Sequence, residues 1–96
     1  VEKKDIDFSK IPDTSGIYIF RKGKKILYIG KATSLRSRIR SYFVDNIIDI
    51  RSPLIAKIVA DAGAVTWEET DSVLEAFLLE SKRIKEHQPV GNTDAK

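Results

Sequence analysis

An α/β fold on a small, mainly antiparallel three-stranded sheet, flanked by about three helices, is the class this sequence predicts. Three observations carry it. Two runs of alternating apolar residues, at about 16 to 21 and 26 to 30, are joined by the basic turn Lys22-Gly23-Lys24-Lys25, the pattern of a β-hairpin. A third strand-like run, Ala64-Val65-Thr66-Trp67-Glu68-Glu69-Thr70, stands far downstream. Around these lie segments of helical spacing, opened by Ser or Thr caps and closed by Gly or Pro. With 96 residues the chain forms one domain, large enough to bury roughly two-thirds of its unfolded surface without staples.

The elements follow in order. Residues 1 to 13 are polar apart from Ile6, Phe8 and Ile11, which should pack on the sheet before Pro12 turns the chain. In the hairpin, Gly16-Ile17-Tyr18 and Tyr28-Ile29-Gly30 are separated by nine residues. A loop centred on Gly23 sets Tyr18 opposite Tyr28, and the period of two puts both phenols on one face. Thr33 or Ser34 caps a helix over about 34 to 43. Ser52-Pro53 is a cap and first-turn pair for a helix through Asp61, which Gly63 ends. Asp71 or Ser72 starts the last helix, which reaches about His87. Ser72 and Glu75 have capping-box spacing, and Pro89 stops the helix. Trp67 reads as a core or half-buried aromatic, and no repeat or interdomain linker interrupts the chain.

Composition excludes several chemistries. There is no Cys, hence no disulfide framework, thiol nucleophile or thiolate zinc site. His87 is the one histidine and sits at a helix end, so neither a Ser-His-Asp set nor a paired-histidine zinc motif can be assembled. Gly30-Lys31-Ala32-Thr33 lacks the upstream glycine of a phosphate-binding P-loop. No apolar run approaches a membrane span and no signal peptide opens the chain, so a soluble cytoplasmic protein is expected. Val1 at the start and the polar end Asn92-Thr93-Asp94-Ala95-Lys96 are what a piece of a longer protein would show.

Net charge is only +3, but no acidic residue falls between Asp13 and Asp45, a stretch that holds Arg21, Lys22, Lys24, Lys25, Lys31, Arg36, Arg38 and Arg40. A solvated basic face is the bland reading. Beside clustered tyrosines the stretch points instead to a polyanion, held by phosphate neutralisation with little sequence content.

On a helical wheel of the last helix, Val73, Phe77, Ser81 and Ile84 define one side, and Glu80 falls within that arc. A carboxylate in an apolar stripe needs a compensating charge. A salt bridge is one answer, and a hard cation such as Mg²⁺, which takes oxygen ligands and keeps several waters, is the other. Glu75 and Glu86 project away. In the basic helix Leu35, Ile39, Tyr42 and Phe43 form the buried side. Arg38 precedes Tyr42 by one turn, so a guanidinium and a phenol can share one phosphate oxygen, whereas Arg36 and Arg40 point elsewhere. The alternative is Arg38 paired with a carboxylate and Tyr42 in the core.

Taken together, Gly16-Ile17-Tyr18, Tyr28-Ile29-Gly30 and the run from Lys31-Ala32-Thr33-Ser34 through Arg38 to Tyr42-Phe43 resemble the GIY-YIG nucleases, most closely the UvrC-type nuclease domain of bacterial excision repair. The resemblance covers nearly the whole chain. It implies metal-dependent DNA hydrolysis by in-line attack of water, with Glu80, twelve residues before Asn92, holding one Mg²⁺ or Mn²⁺. It further implies Arg38 as the catalytic arginine, Tyr42 as an active-site tyrosine, and Tyr28, or alternatively Tyr18, as the base, with Lys31 and Arg38 favouring its phenolate. Gly30, Lys31, Arg36 and Arg40 are expected on the substrate side from the basic stretch and the strand-to-helix turn, and Asn92 joins them by the same resemblance. Gly30 would let the backbone approach substrate and turn from strand to helix. A UvrB–DNA complex is the implied partner and a monomer the implied state. A binding module with weak or lost catalysis, or an endonuclease not tied to repair, stands as the other reading. One departure is Pro89-Val90-Gly91-Asn92 where the family usually reads Pro-Lys-Tyr-Asn, so a flexible Gly91 is expected to hold Asn92 less firmly.

Overall fold

In the computed structural model, which describes residues 1–44, 47 and 51–93, strand β1 (Gly16–Lys22) lies between β2 (Lys25–Ala32) and β3 (Ala64–Glu69) and runs antiparallel to both. Residues 94–96, the end of the polar tail, lie outside the described residues. Ile17, Tyr18, Ile19 and Phe20 are all buried, as a central strand covered on both faces requires. One face carries Tyr18, Phe20, Leu27 and Ala32 against Leu35 and Ile39 of α1 (Leu35–Arg40) and Ile55, Ile58 and Val59 of α2 (Pro53–Asp61). The other carries Ile17, Ile19 and Ile29 against Leu79 and Ile84 of α3 (Val73–His87). A short helix that the sequence did not announce, α4 (Val90–Thr93), packs on β2. The entry segment forms two 3-10 turns, with Ile11 fully buried and Phe8 edge-on to Phe43 at 6.0 Å.

The hairpin register departs from the expected one. Lys22 pairs with Lys25 across a two-residue turn in which Gly23 has φ 61°, and Arg21 pairs with Ile26, but Phe20 pairs with Tyr28. Leu27 is therefore an extra residue, a β-bulge. Tyr18 consequently faces Gly30 and not Tyr28. Without the bulge a two-residue turn would set Tyr28 opposite Ile19, on the α3 side. The bulged residue restores the phase, so Leu27 and Tyr28 both join the cluster that holds Tyr18.

Serine caps explain the helix starts. Ser34 accepts from Ser37 N–H, Ser52 from Ile55 N–H and Ser72 from Glu75 N–H. Glu75 reaches back to Asp71 N–H at 3.1 Å, which bears out its capping role. Two ends differ from expectation. α1 stops at Arg40, in a final turn closed by Ser41. α2 is ended by Ala62 turning extended, not by a special conformation at Gly63, whose N–H continues to Arg21 O at 2.8 Å. α3 ends at His87 as expected, followed by Gln88, a non-glycine cap in the left-handed region. Among the described residues no helix is long and apolar enough to cross a membrane.

Candidate active site

All three tyrosines of the chain converge. Tyr18 from β1 is 2 % exposed, its ring 5.4 Å from that of Tyr42 just after α1 and 6.4 Å from that of Tyr28 on β2. The Tyr18 and Tyr42 hydroxyls hydrogen-bond each other. Gly30 makes this possible, because a Cβ there would overlap the Tyr18 ring end. Its role is thus to seat Tyr18, a steric demand that the expected reading of substrate approach and chain turning did not contain.

Burial governs the phenols' ionisation. It pushes Tyr18 far up, aided by Tyr42 and Tyr28 and opposed by Arg38. Tyr28, half-buried, is pushed up to about 12, by burial first, then Tyr42 and Glu80. The cation that opposes this at Tyr28 is Arg51, a residue the sequence reading did not single out. Of the two cations expected to favour the base's phenolate, Arg38 does so at Tyr18, the alternative base. Lys31 lies opposite Ile17, on the α3 face.

Glu80 sits on α3 with its side chain 17 % exposed, and its one described contact is an ion pair from Oε1 to Lys31 Nζ at 3.6 Å. The expected stripe is displaced, since Val73 and Phe77 are half exposed while Ala76 is buried and Leu79 and Ile84 meet the sheet. The reason is composition: α3 carries apolar residues around most of its circumference, so periodicity could not choose the face and the sheet does. Among the described residues no three carboxylate or imidazole groups gather as a metal cage. A lone, partly committed carboxylate suits a hard cation that keeps most of its waters. Arg38 is exposed, and its guanidinium makes no hydrogen bond or ion pair among the described residues. It shares a small cavity with Lys31, Ala32, Thr33, Val73 and Ala76.

Other candidates are occupied elsewhere. Arg36 Nε donates to Ile11 O at 2.9 Å, and Arg40 lies over the Phe8 ring at 5.2 Å, so both tie α1 to the entry segment. Asn92 from α4 uses its whole amide on β2, accepting from Ile29 N–H at 2.9 Å and donating to Ile29 O at 2.8 Å. It acts on the strand edge between Tyr28 and Gly30. Gly91 is buried and does not loosen it: a Cβ there would stand 2.8 Å from Leu27 O and 2.9 Å from Tyr28 Cδ1. Short polar sequence around a lone Asn gave no sign of this clamp, and Arg51, ten residues past Ser41, had no motif to mark it.

Residues 14–93 match the family model of the UvrC-like GIY-YIG domain. The chain belongs to that family. The UvrABC system protein C of Natronomonas pharaonis is 41% identical over 88 residues, 92% of this chain and 14% of the relative, and that of Prochlorococcus marinus 47% over 83 residues, 85% and 13%. The chain thus spans about one-seventh of the length of these curated relatives. Its fold also matches the GIY-YIG N-terminal endonuclease domain of UvrC from Thermotoga maritima, solved with magnesium as its catalytic divalent cation, at a TM-score of 0.78 and 28% identity over 94% of this chain and 97% of that one. Three variants of that domain with a tyrosine changed to phenylalanine, and one with an asparagine changed to alanine, also hold the cation. Family membership places the chain among endonuclease domains.

Proposed function

We propose that this domain cleaves DNA phosphodiesters as the incision module of a UvrC-type excision-repair protein, working in the cytoplasm on a UvrB–DNA complex. The observation that carries the reading is the convergence of three phenols beside a sheltered carboxylate and an uncommitted guanidinium. Glu80 would hold one Mg²⁺, with Mn²⁺ as substitute. Bound there, the ion supplies Lewis-acid stabilisation of the departing 3′ oxygen. In the Thermotoga domain the cation survives loss of single tyrosine hydroxyls, which supports a carboxylate and not a phenol as the ligand here.

Water attacks phosphorus while its proton passes to a tyrosine in its phenolate form, giving the neutral phenol, and the P–O3′ bond breaks, the departing 3′ oxygen taking a proton from solvent. Tyr28 fits that task better than Tyr18, since it is less buried and less strongly held in its protonated form. Neutralising the Glu80 charge removes one cause of its upward shift. Arg38 is placed to stabilise charge on the phosphoryl oxygens, with Lys31 next to it. Gly30 and Asn92 serve indirectly, by seating Tyr18 and fixing the β2 edge. Arg36 and Arg40 contribute field more than contact.

Nicking of supercoiled plasmid with Mg²⁺ against EDTA tests the reading, alone and with UvrB-loaded damaged DNA. Cleavage should require the metal. Glu80→Gln should lose both nicking and the saturable Mn²⁺ site while its metal-free melting temperature stays close to native. DNA binding without metal-dependent cleavage in either setting would make the chain a binding module, and a strongly lowered melting temperature of the variant in EDTA would make Glu80 a structural ion-pair residue.

A further inference from the structure

Arg51 immediately precedes the Ser52 cap of α2, yet its guanidinium reaches back to the tyrosines. It lies over the Tyr42 ring, 4.4 Å from the centroid, and Nη2 donates to Ser41 Oγ at 2.6 Å. Ser41 Oγ donates in turn to Arg38 O at 2.5 Å. A single side chain thereby touches the ring of one active-site residue and, through one hydroxyl, the backbone of another. Its Nε is buried and has no partner among the described residues. A buried, unsatisfied donor costs stability, so the site is not one that packing alone would favour for arginine.

We propose that Arg51 is a positioning residue for phosphodiester cleavage: its guanidinium holds the Tyr42 ring so that the Tyr42 hydroxyl stays bonded to Tyr18, and through Ser41 it fixes the turn of α1 that presents Arg38. The inference rests on the nuclease reading above. Arginine suits the task because its planar, always-charged group stacks on an aromatic face while its fork donates sideways, which lysine cannot do in one geometry. The electrostatic setting agrees. Tyr28 is faced by Tyr18 from β1, by Tyr42 after α1, by Glu80 from α3 and by Arg51 before α2, and Arg51 is the member of that set whose charge favours the phenolate.

The test uses the full chain with Arg51→Met, Arg51→Lys and Ser41→Ala, all assayed well below their melting temperatures. Single-turnover cleavage of Mg²⁺-loaded protein, DNA affinity as a function of salt, and the ring resonances of Tyr42 in an NMR spectrum are read for each. Arg51→Met should slow the cleavage step on the order of tenfold to a hundredfold, as expected of misplaced reacting groups, with DNA affinity and its salt dependence unchanged and the Tyr42 resonances displaced. Arg51→Lys should recover part of the rate, because an ammonium can still sit over the ring. Ser41→Ala should lose less than Arg51→Met. A lowered melting temperature with native cleavage rate in the folded protein would overturn the proposal, leaving Arg51 a structural residue. So would weaker DNA binding whose salt slope falls by about one, the mark of a phosphate contact. If the native chain fails to cleave in any setting, the nuclease reading falls. The Tyr42 resonances then still report separately whether Arg51 holds the ring, and unchanged resonances in Arg51→Met would refute the hold itself.

Discussion

Replacing Gly30 with alanine should be among the most damaging single-methyl changes in the chain. The new Cβ would overlap Cζ and the hydroxyl of Tyr18 and stand 2.7 Å from its Cε2. The ring has no room to move, hemmed by Phe20 at 6.1 Å, Tyr42 at 5.4 Å and Tyr28 at 6.4 Å between centroids. Overpacking of this kind costs about 1–3 kcal/mol, and breaking the buried Tyr18–Tyr42 hydrogen bond adds about 1–3 kcal/mol. A loss of about 2–6 kcal/mol in a domain of this size lowers the melting temperature by about 10 °C or more. Urea unfolding of Gly30→Ala beside a Tyr18→Ala, Gly30→Ala double variant is the assay. With the ring gone, the methyl should change stability by less than about 1 kcal/mol. An unaffected single variant, or an equal cost in both backgrounds, would refute the argument that Gly30 exists to seat Tyr18.

Three further outcomes are expected. Arg83 bonds both oxygens of Glu68 at 3.0 Å and Glu86 at 2.9 Å, and its hydrogen bond to Glu68 holds that carboxyl below its usual range. A depressed folded pKa adds stability above the unfolded value of about 4.5 and loses it as pH falls through the folded one, so the native melting temperature should drop more steeply below about pH 4.5 than that of Arg83→Gln. Gln88 has φ 47° at the end of α3, and Gln88→Gly should raise the urea midpoint by an amount worth about 0.5–1 kcal/mol. Asn92→Ala strands both backbone groups of Ile29, costing about 1–3 kcal/mol, and hydrogen exchange at the Ile29 amide should quicken before that of β1.

Local rules carried much of the fold. Ser34, Ser52-Pro53 and Ser72 mark the true helix starts because capping is a matter of a few neighbouring atoms. The placement of Tyr18 and Tyr28 on one face follows from parity alone: a loop centred on Gly23 and a two-residue turn with one bulged residue give the same phase, although the cross-strand partner differs. What the sequence withheld is tertiary. Val73 and Phe77 look as buried as Leu79 and Ile84 until a sheet selects a side. Arg36 and Arg40 look like DNA contacts until Ile11 and Phe8 are folded beneath them. Arg51 and Asn92 act on residues 10 and 63 positions away, across distances that no local pattern encodes.

The bulge at Leu27 divides the hairpin into two separately registered parts, a base that carries Tyr18, Tyr28 and Gly30 and a tip closed by the Lys22–Lys25 pair. The tip sets its own turn, and nothing has room to crowd it: a Cβ on Gly23 would meet no atom within 4 Å. An inserted peptide or a fluorophore at residues 23 and 24 would therefore leave the tyrosines seated, as exposed loop tips generally allow. The hairpin tip is a natural handle on this domain, a place to attach a reporter of DNA approach that the chemistry a few residues away would not feel.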